Sequence, residues 1–212
     1  MDKINGCKFC DVANGKIISL NIDKPIFANE DFFSIPSLGS IVEGWMLVVP
    51  RIHVPSMRHF YDKISFKDIM RDALFAMREV YGNIVMFEHG SNKEKSITAC
   101  GTNHAHVHLV SLKDSLYQDI SDDNYDWLKC KTRDLLSVVG DNEYLFYSDL
   151  DCADDLEEQY GYVHILECET SQYFRKIIAR KMKCELCYDY NKYPFIENVL
   201  RTKSRLSKTL IA

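Results

Sequence analysis

The sequence of 212 residues lacks an apolar run long enough to cross a membrane, and its first residues carry no apolar segment of the secretory type. We therefore expect a cytoplasmic protein with no membrane partner. Internal repeats and low-complexity linkers are also missing, so the chain is expected to be one large domain or one domain with a substantial extension. Its hydrophobic fraction of 46% is ordinary for a protein with a packed core.

An excess of basic residues is missing as well, because the formal net charge is −5. No overall positive field attracts a polyanion. Any phosphate site must therefore be built locally from a few Lys, Arg or His side chains or backbone N–H groups. This charge does not indicate a nucleic-acid end as a partner, although it does not exclude one.

A disulfide framework is not indicated, although the chain has eight cysteines. Two C-x-x-C pairs, Cys7–Cys10 and Cys184–Cys187, stand among four scattered cysteines, and metal ligation is the better first interpretation in a reducing compartment. Redox C-x-x-C motifs usually follow a buried strand, and no strand-like pattern precedes Cys7. The first pair is half of a zinc site and needs two further ligands. For the second pair no spacing identifies partners, so buried or incidental thiols are favoured over a second zinc.

Hydrophobic periodicity predicts the main elements. We expect a hairpin or bent strand pair at residues 25–35. Four further strands are expected at residues 44–50, 84–90, 143–148 and 162–168. Three helices are expected at residues 65–81, 122–139 and 171–183. The first helix is expected to begin at a Ser65 cap and end at Gly82. The polar, basic tail after Cys184 is expected to fray. Gln172 and Arg175 are interpreted as surface or structural residues rather than substrate contacts.

The most informative stretch is Asn103–Val110, in which histidines occupy positions 104, 106 and 108. At a spacing of two, the imidazoles of one strand share a face, and Ala105, Val107 and Leu109 share the other. An exposed strand face or an accidental cluster is the plainer interpretation. A purely structural strand seldom lines one face with three titratable rings, however, so the stretch predicts an active site.

A metal site is predicted from Cys7, Cys10, His53 and one histidine of that stretch. Two cysteines with two distant histidines form a closed Cys2His2 set of the structural type. The long separations in sequence exclude a zinc finger, and they suit a site that ties a folded domain together.

These motifs resemble the histidine triad (HIT) family. His104–Val110 is similar to the triad motif, residues 44–53 to the family's glycine–strand–Pro-basic-x-His segment, and Cys7–Cys10 to its zinc-binding branch. Residues 87–90 and 171–175 are similar to larger, CwfJ-type members. The resemblance covers about residues 7–112, and it implies an α+β fold with an antiparallel sheet of about five strands and a long helix, often paired into dimers. We therefore expect a HIT-like domain at 1–115 and a packed C-terminal strand and helix extension at 116–212, unless the two are continuous.

The resemblance also implies roles. His106 would be the nucleophile and His108 would hold phosphate oxygens, with Ser37, Thr102 and Asn103 also binding substrate. A structural Zn²⁺ would be bound by Cys7, Cys10, His53 and His104. The implied function is hydrolysis or transfer at the α-phosphorus of a nucleotide conjugate through a covalent nucleotidyl-histidine. The alternatives are a non-catalytic module that binds nucleotide or RNA ends in a larger assembly, and a purely structural zinc scaffold.

The sequence departs from the family pattern in four places. Ser37 stands where an aspartate usually holds the ribose hydroxyls, and Trp45 stands where a histidine is common. Ser111 replaces the usual proline. The Gln-Ser pair that assists the leaving group is replaced in register by Cys100, Gly101, Thr102 and Asn103. Nucleotide specificity and leaving-group assistance are therefore the functions that the resemblance does not carry over.

Overall fold

The computed structural model describes residues 6–16, 22–99, 102–150, 156 and 158–210. Cys100 and Gly101, which stand where the family has its leaving-group pair, lie outside these residues. Most of the acidic segment before residue 159 lies outside them as well. No helix in the described part of the chain is long and apolar enough to cross a membrane.

In the part of the chain that the structure describes, seven strands form one sheet in the order β1-β2-β4-β3-β6-β7-β5, and every neighbouring pair is antiparallel. The strands are β1 (Phe32–Pro36), β2 (Trp45–Pro50), β3 (Ile84–Gly90), β4 (Val107–Ser111), β5 (Leu128–Lys131), β6 (Tyr144–Ser148) and β7 (Tyr160–Ile165). The predicted α+β class with an antiparallel sheet is confirmed, and the sheet has seven strands rather than about five. Strands from both parts of the chain share this sheet, because β6 pairs with β3. The division into two domains stays a prediction.

Among the described residues, six α-helices cover the sheet: α1 (Lys8–Ala13), α2 (Ile64–Tyr81), α3 (Tyr117–Ser121), α4 (Leu135–Val139), α5 (Tyr173–Lys181) and α6 (Ile196–Thr209). The long helix α2 ends at Gly82 as predicted, where φ is 78° and glycine has no Cβ to oppose it. It begins after Lys63 rather than at a Ser65 cap, so Ser65 lies in the first turn of the helix, where its hydroxyl donates to the Asp31 carboxylate at 2.6 Å.

Alternate residues of each strand supply the two faces of the sheet. On one face Met86, Val107 and Leu109 pack with the apolar stripe of α2, and Leu206 of α6 joins the same core. The opposite face is covered in two places. There α5 packs over β3 and β6 in a core that includes Phe87, and α1 packs over β1 and β2. The centre of that face, between α1 and α5, is where a pocket forms.

The helix predicted at residues 122–139 is wrong. The segment instead contains edge strand β5, a 3-10 turn at Thr132–Asp134 and the short helix α4. Cys130 is buried, while Lys129 is exposed and Lys131 only half-buried, which is a period of two. The backbone groups of β5 pair with β7, with Leu128 opposite Val163. Tertiary pairing has overridden a helix-like pattern, and Leu128 is exposed rather than inward.

The prediction of a fraying tail is also wrong. Helix α6 buries Val199 and Leu206, and the Thr202 hydroxyl accepts the backbone N–H of Gly44 at 2.9 Å. The tail therefore packs against the loop that precedes β2. Helix α5 begins at Tyr173, directly after Gln172, and has no side-chain cap. It ends at Lys181, and the Met182 side chain that follows is exposed.

Candidate active site

A pocket opens on the sheet face between α1 and α5, and it receives side chains from both parts of the chain. Helix α1 borders it on one side and α5 on the other, and the rings of His106 and His108 lie on its floor. Its wall is formed by Lys8, Phe9, Ile35, Pro36, Ser37, Leu38, Leu47, Thr102, His106, His108, Gln172, Arg175 and Tyr190.

The histidine stretch is only partly a strand. Strand β4 begins at Val107, so His104 and His106 lie in the segment that leads into it. The backbone N–H of Ala105 donates to Val54 at 2.7 Å rather than to a sheet partner. The alternation nevertheless continues through this lead-in, because Ala105 is in the α2 core with Val107 and Leu109. The rings of His106 and His108 reach the pocket wall, with centroids 4.8 Å apart.

The predicted metal ligands come together. One ligand atom from each of Cys7, Cys10, His53 and His104 lies within 4.8 Å of the others. The sulfur–Nδ1 distances are 3.4 Å for Cys7–His104, 3.3 Å for Cys10–His53 and 3.6 Å for Cys10–His104. A tetrahedral zinc with ordinary Zn–S and Zn–N bonds requires sulfur–nitrogen edges of about 3.6 Å. The donor set and its spacing therefore fit a zinc ion.

The outer nitrogens of the two histidines agree with metal binding through Nδ1. His104 Nε2 donates to the carbonyl oxygen of Pro50 at 2.7 Å, and a carbonyl can only accept. The proton is therefore on Nε2, and the Nδ1 lone pair points to the cysteines. His53 Nε2 is 3.1 Å from the Glu94 carboxylate, the partner that metal-bound histidines commonly have.

The tautomer of His106 is set by the backbone. Its Nδ1 lies 2.9 Å from the carbonyl oxygen of His104, so Nδ1 carries the proton and Nε2 keeps its lone pair. The ring of Phe9 packs edge-on against it at 5.5 Å. Burial lowers the pKa of His106, with a contribution from the positive charge of Arg175. A neutral imidazole with an available Nε2 is a competent nucleophile.

His108 has the opposite arrangement. The indole Nε1 of Trp45 only donates, and it lies 2.9 Å from His108 Nδ1. The proton of His108 is therefore on Nε2, which becomes a hydrogen-bond donor. The ring is stacked on Phe87 with centroids 4.5 Å apart. Burial, followed by the neighbouring rings of His106 and His89, holds the pKa of His108 well below its usual value. Trp45 was noticed in the sequence only as a departure from the family pattern.

The other predicted substrate contacts are placed as follows. Ser37 is buried in the pocket wall, and its hydroxyl donates to the Leu38 carbonyl at 3.2 Å. Thr102 also lines the pocket, whereas Asn103 is half-buried and is not part of the wall.

Arg175, Gln172 and Tyr190 were not predicted to reach the site, yet all three line it. Arg175 is buried, at 3% exposure, rather than on the surface. A charged residue directly beside Phe174, at the start of an apolar helix stripe, was the signal that could have found it. Tyr190 follows the second C-x-x-C pair in a loop with no periodic pattern, and no sequence signal singled it out.

In the described part of the chain, the Cys7–Cys10 set is the one group of three or more potential metal ligands, so Cys184 and Cys187 gather no further ligands there. Burial, helped by a hydrogen bond with Cys187, raises the pKa of Cys184 to about 11.

No protein-family model and no curated protein matches the sequence. Solved structures do match. A Streptococcus mutans protein shares 22% identity over 58% of this chain and 72% of its own, with a TM-score of 0.40. A Bacillus anthracis HIT family protein shares 15% identity over 56% and 87%, with a TM-score of 0.40. A Clostridium difficile histidine triad protein shares 19% identity over 59% and 100%, with a TM-score of 0.39. At these values the matches do not assign the chain to a family.

Proposed function

We propose that this chain is a histidine triad-type nucleotidyl hydrolase or transferase that attacks the α-phosphorus of a nucleotide conjugate through His106. One observation carries the proposal. Two rings that line one pocket hold their protons on opposite nitrogens, so His106 presents an Nε2 lone pair and His108 presents an Nε2–H. A nucleophile beside a hydrogen-bond donor is what displacement at a phosphorus atom requires.

The reaction would take two displacements. In the first, His106 Nε2 attacks the phosphorus and a new P–N bond forms. The bond from phosphorus to the leaving-group oxygen or nitrogen breaks, its electron pair goes to that atom, and an amine leaving group takes up a proton from solvent. In the second, water or another acceptor attacks the same phosphorus and gives up its proton to solvent, and the P–N bond to His106 breaks, which returns the electron pair to Nε2. His108 Nε2–H stabilises charge on a non-bridging oxygen in both steps.

We propose that Cys7, Cys10, His53 and His104 hold a structural zinc. Four protein ligands complete a tetrahedral shell, so the ion would contribute folding energy and ligand orientation. Its benefit to the reaction is indirect. His104 contributes its ring to the metal cluster, and its backbone carbonyl fixes the His106 proton on Nδ1.

The free thiols at the described cysteines agree with a reducing compartment such as the cytoplasm.

The competing proposal is a non-catalytic module that binds nucleotide or RNA ends. It is favoured by Ser37, whose short hydroxyl is already bonded to Leu38 and offers no carboxylate for ribose hydroxyls. The two-tautomer arrangement of His106 and His108 favours the enzyme, because binding alone does not need a nucleophile. We also propose that the chain forms a homodimer, which is what the family resemblance implies.

The experiment is a screen of nucleotide conjugates read by mass spectrometry. The panel would contain dinucleoside polyphosphates, phosphoramidates, capped ends and adenylylated ends. We expect the wild-type chain to release a nucleoside monophosphate from at least one of them, and His106→Ala to lower that turnover by at least about 10³-fold. The matched control is His164→Ala, which removes a histidine ring stacked on Tyr125, away from the pocket wall. Undiminished turnover by His106→Ala would exclude the mechanism, and nucleotide binding without turnover would favour the module.

A further inference from the structure

We propose that Arg175, supplied by helix α5 of the C-terminal part, is a specificity-determining residue that binds a second phosphate group of the substrate. The first phosphate is the one that His106 attacks. The catalytic part of this inference rests on the proposed function, whereas the anion-binding part can be tested without any turnover.

The charge of the pocket wall differs from that of the chain. The chain has a net charge of −5, yet the wall contains Lys8 and Arg175, and no aspartate or glutamate from the described residues. The Lys8 ammonium is 2.6 Å from the Asp23 carboxylate, which offsets its charge. A wall with basic side chains and, among the described residues, no acidic one favours anions, and Arg175 is the basic side chain that lies over the Trp45 ring.

The guanidinium is fixed before any ligand binds. Its Nε donates to the Tyr188 carbonyl at 3.0 Å, and one Nη donates to the Gly39 carbonyl. Its plane lies over the Trp45 ring at 4.8 Å and near the Tyr190 ring at 5.8 Å. An arginine ordered in this way loses little side-chain entropy on binding, and its fork of N–H donors matches phosphate oxygens.

Gly39 permits this close approach. It has φ of 75°, and a Cβ built there would lie 2.6 Å from an Arg175 Nη and 2.3 Å from the Tyr190 Cβ. The absence of a side chain at Gly39 therefore allows the loop after Ser37 to contact α5 and the loop after α5 that contains Tyr190. The wall from the N-terminal part and the wall from the C-terminal part are in contact at Arg175.

Arg175 lies one ring away from the reacting groups. The same Trp45 ring that carries the guanidinium donates its N–H to His108. Arg175 and His108 line the same pocket and both contact Trp45, so a phosphate held by His108 would have the guanidinium as a neighbour in that pocket, and we assign it the second phosphate. The second phosphate has two possible sources, the leaving group of a polyphosphate chain or a phosphate carried on the ribose.

The binding test uses inorganic pyrophosphate and the zinc-loaded full chain. Tryptophan fluorescence in a Trp127→Phe background reports on Trp45 alone, because the chain has two tryptophans. We expect Arg175→Gln to weaken pyrophosphate binding by about 10- to 100-fold and Arg175→Lys to weaken it less, since lysine keeps the charge but not the fork. The control is Arg180→Gln on the same helix, an exposed side chain 4.0 Å from Asp123, which should change affinity less than twofold. Equal affinity in wild type and Arg175→Gln would overturn the proposal; should Arg175→Gln not fold, equal affinity in Arg175→Lys would do so.

The turnover test uses substrates with one common nucleotidyl group. One has a phosphate leaving group, one a neutral amine leaving group, and one the amine plus a ribose phosphate. Arg175→Gln should lower kcat/KM about 30-fold or more for whichever substrate carries the second phosphate that the site recognises, and less than threefold for the plain amine conjugate. The substrate whose kcat/KM falls the most identifies which group supplies the second phosphate. Equal losses on all three would show that Arg175 only positions Trp45 and would overturn the proposal. Absence of turnover by wild type would instead contradict the proposed function, while the pyrophosphate result would still decide the role of Arg175.

Discussion

The two C-x-x-C pairs of this chain share a motif and differ in almost everything else. Around Cys7 and Cys10, two histidine Nδ1 atoms from distant segments approach to 3.3–3.6 Å and complete a four-ligand set. Cys184 and Cys187 instead pack, as Tyr188 and Phe195 do, against the apolar core that contains Phe174. The spacing of two cysteines does not define a metal site; the residues that the fold delivers to them do.

The same contrast extends to the two regions in which these pairs lie. The first region, residues 7–112, holds the four candidate metal ligands and the rings of His106 and His108. The second region, residues 116–210, adds Arg175 and Tyr190 to the pocket wall and three strands, β6, β7 and β5, to one side of the sheet. We infer that the first region performs the chemistry and the second tunes what is bound. Each prediction below pairs a change in the first region with a similar change in the second, except the last.

The largest effect is expected for the metal ligands. Cys10→Ala should lose its zinc and lower the free energy of unfolding by at least about 3 kcal/mol, because a structural metal contributes folding energy. Cys187→Ala should retain the zinc and change stability much less. Elemental analysis and thermal melts of protein purified without chelator provide the measurement. Full zinc retention by Cys10→Ala, or zinc loss by Cys187→Ala, would contradict the assignment of the zinc site to the first C-x-x-C pair.

The next effect is expected for His108. Its Nε2–H stabilises charge on phosphate oxygens, so His108→Ala should lower kcat by about 10²–10³-fold, which is about 2.7–4.1 kcal/mol of transition-state stabilisation. His164→Ala removes a ring from the second region and should leave kcat within twofold. Steady-state kinetics on the substrate found in the screen decide this, and equal effects of the two variants would remove the distinction between the regions.

A smaller effect is expected for Trp45. Trp45→Phe removes the donor that holds the proton of His108 on Nε2, so kcat should fall about tenfold, with a smaller change in KM. Trp127→Phe is the matched change in the second region, because its indole donates to the Ile120 carbonyl instead. Nitrogen chemical shifts of the histidine rings report the tautomer directly. An unchanged His108 tautomer in Trp45→Phe would show that another group fixes it.

The smallest effect is expected for Ser37. The absence of a carboxylate for the ribose hydroxyls should make discrimination against 2′-deoxynucleotides weak, since one such polar contact contributes about 1–3 kcal/mol. The ratio of kcat/KM for ribo and deoxy forms of one substrate measures it. A ribo preference above about a hundredfold would mean that another pocket residue has taken over that role.

The sequence was sufficient for the parts of the fold that have strong periodicity. The stripe of α2, its stop at Gly82 and the strands around Val48 and Phe87 are patterns of local spacing, and the structure confirms them. It was not sufficient for β5, because Leu128 and Leu136 fit a helical period while long-range pairing with β7 decides the conformation. The packing of α6 depends on a partner, the loop at Gly44, which lies at the other end of the chain.

The candidate site divides in the same way. Cys7, Cys10, His53 and His104 were predicted as a group because residue type and motif order mark them, and the structure brings them together. The tautomers of His106 and His108 could not be predicted, since they depend on a carbonyl and an indole placed by tertiary structure. Arg175 was missed because its position beside Phe174 marks a charge at the edge of an apolar stripe, while only the tertiary structure shows that α5 borders the pocket that His106 and His108 line.

The central claim is that His106 forms a covalent bond to phosphorus, and a rapid-quench experiment tests it most directly. Wild-type protein would be mixed with an α-labelled substrate, quenched at alkaline pH, where a phosphoramidate survives, and mapped by peptide mass spectrometry. The account predicts transient label on His106, formed no more slowly than product and absent from His106→Ala. Product formation with no label on any histidine, at times when turnover is under way, would contradict it.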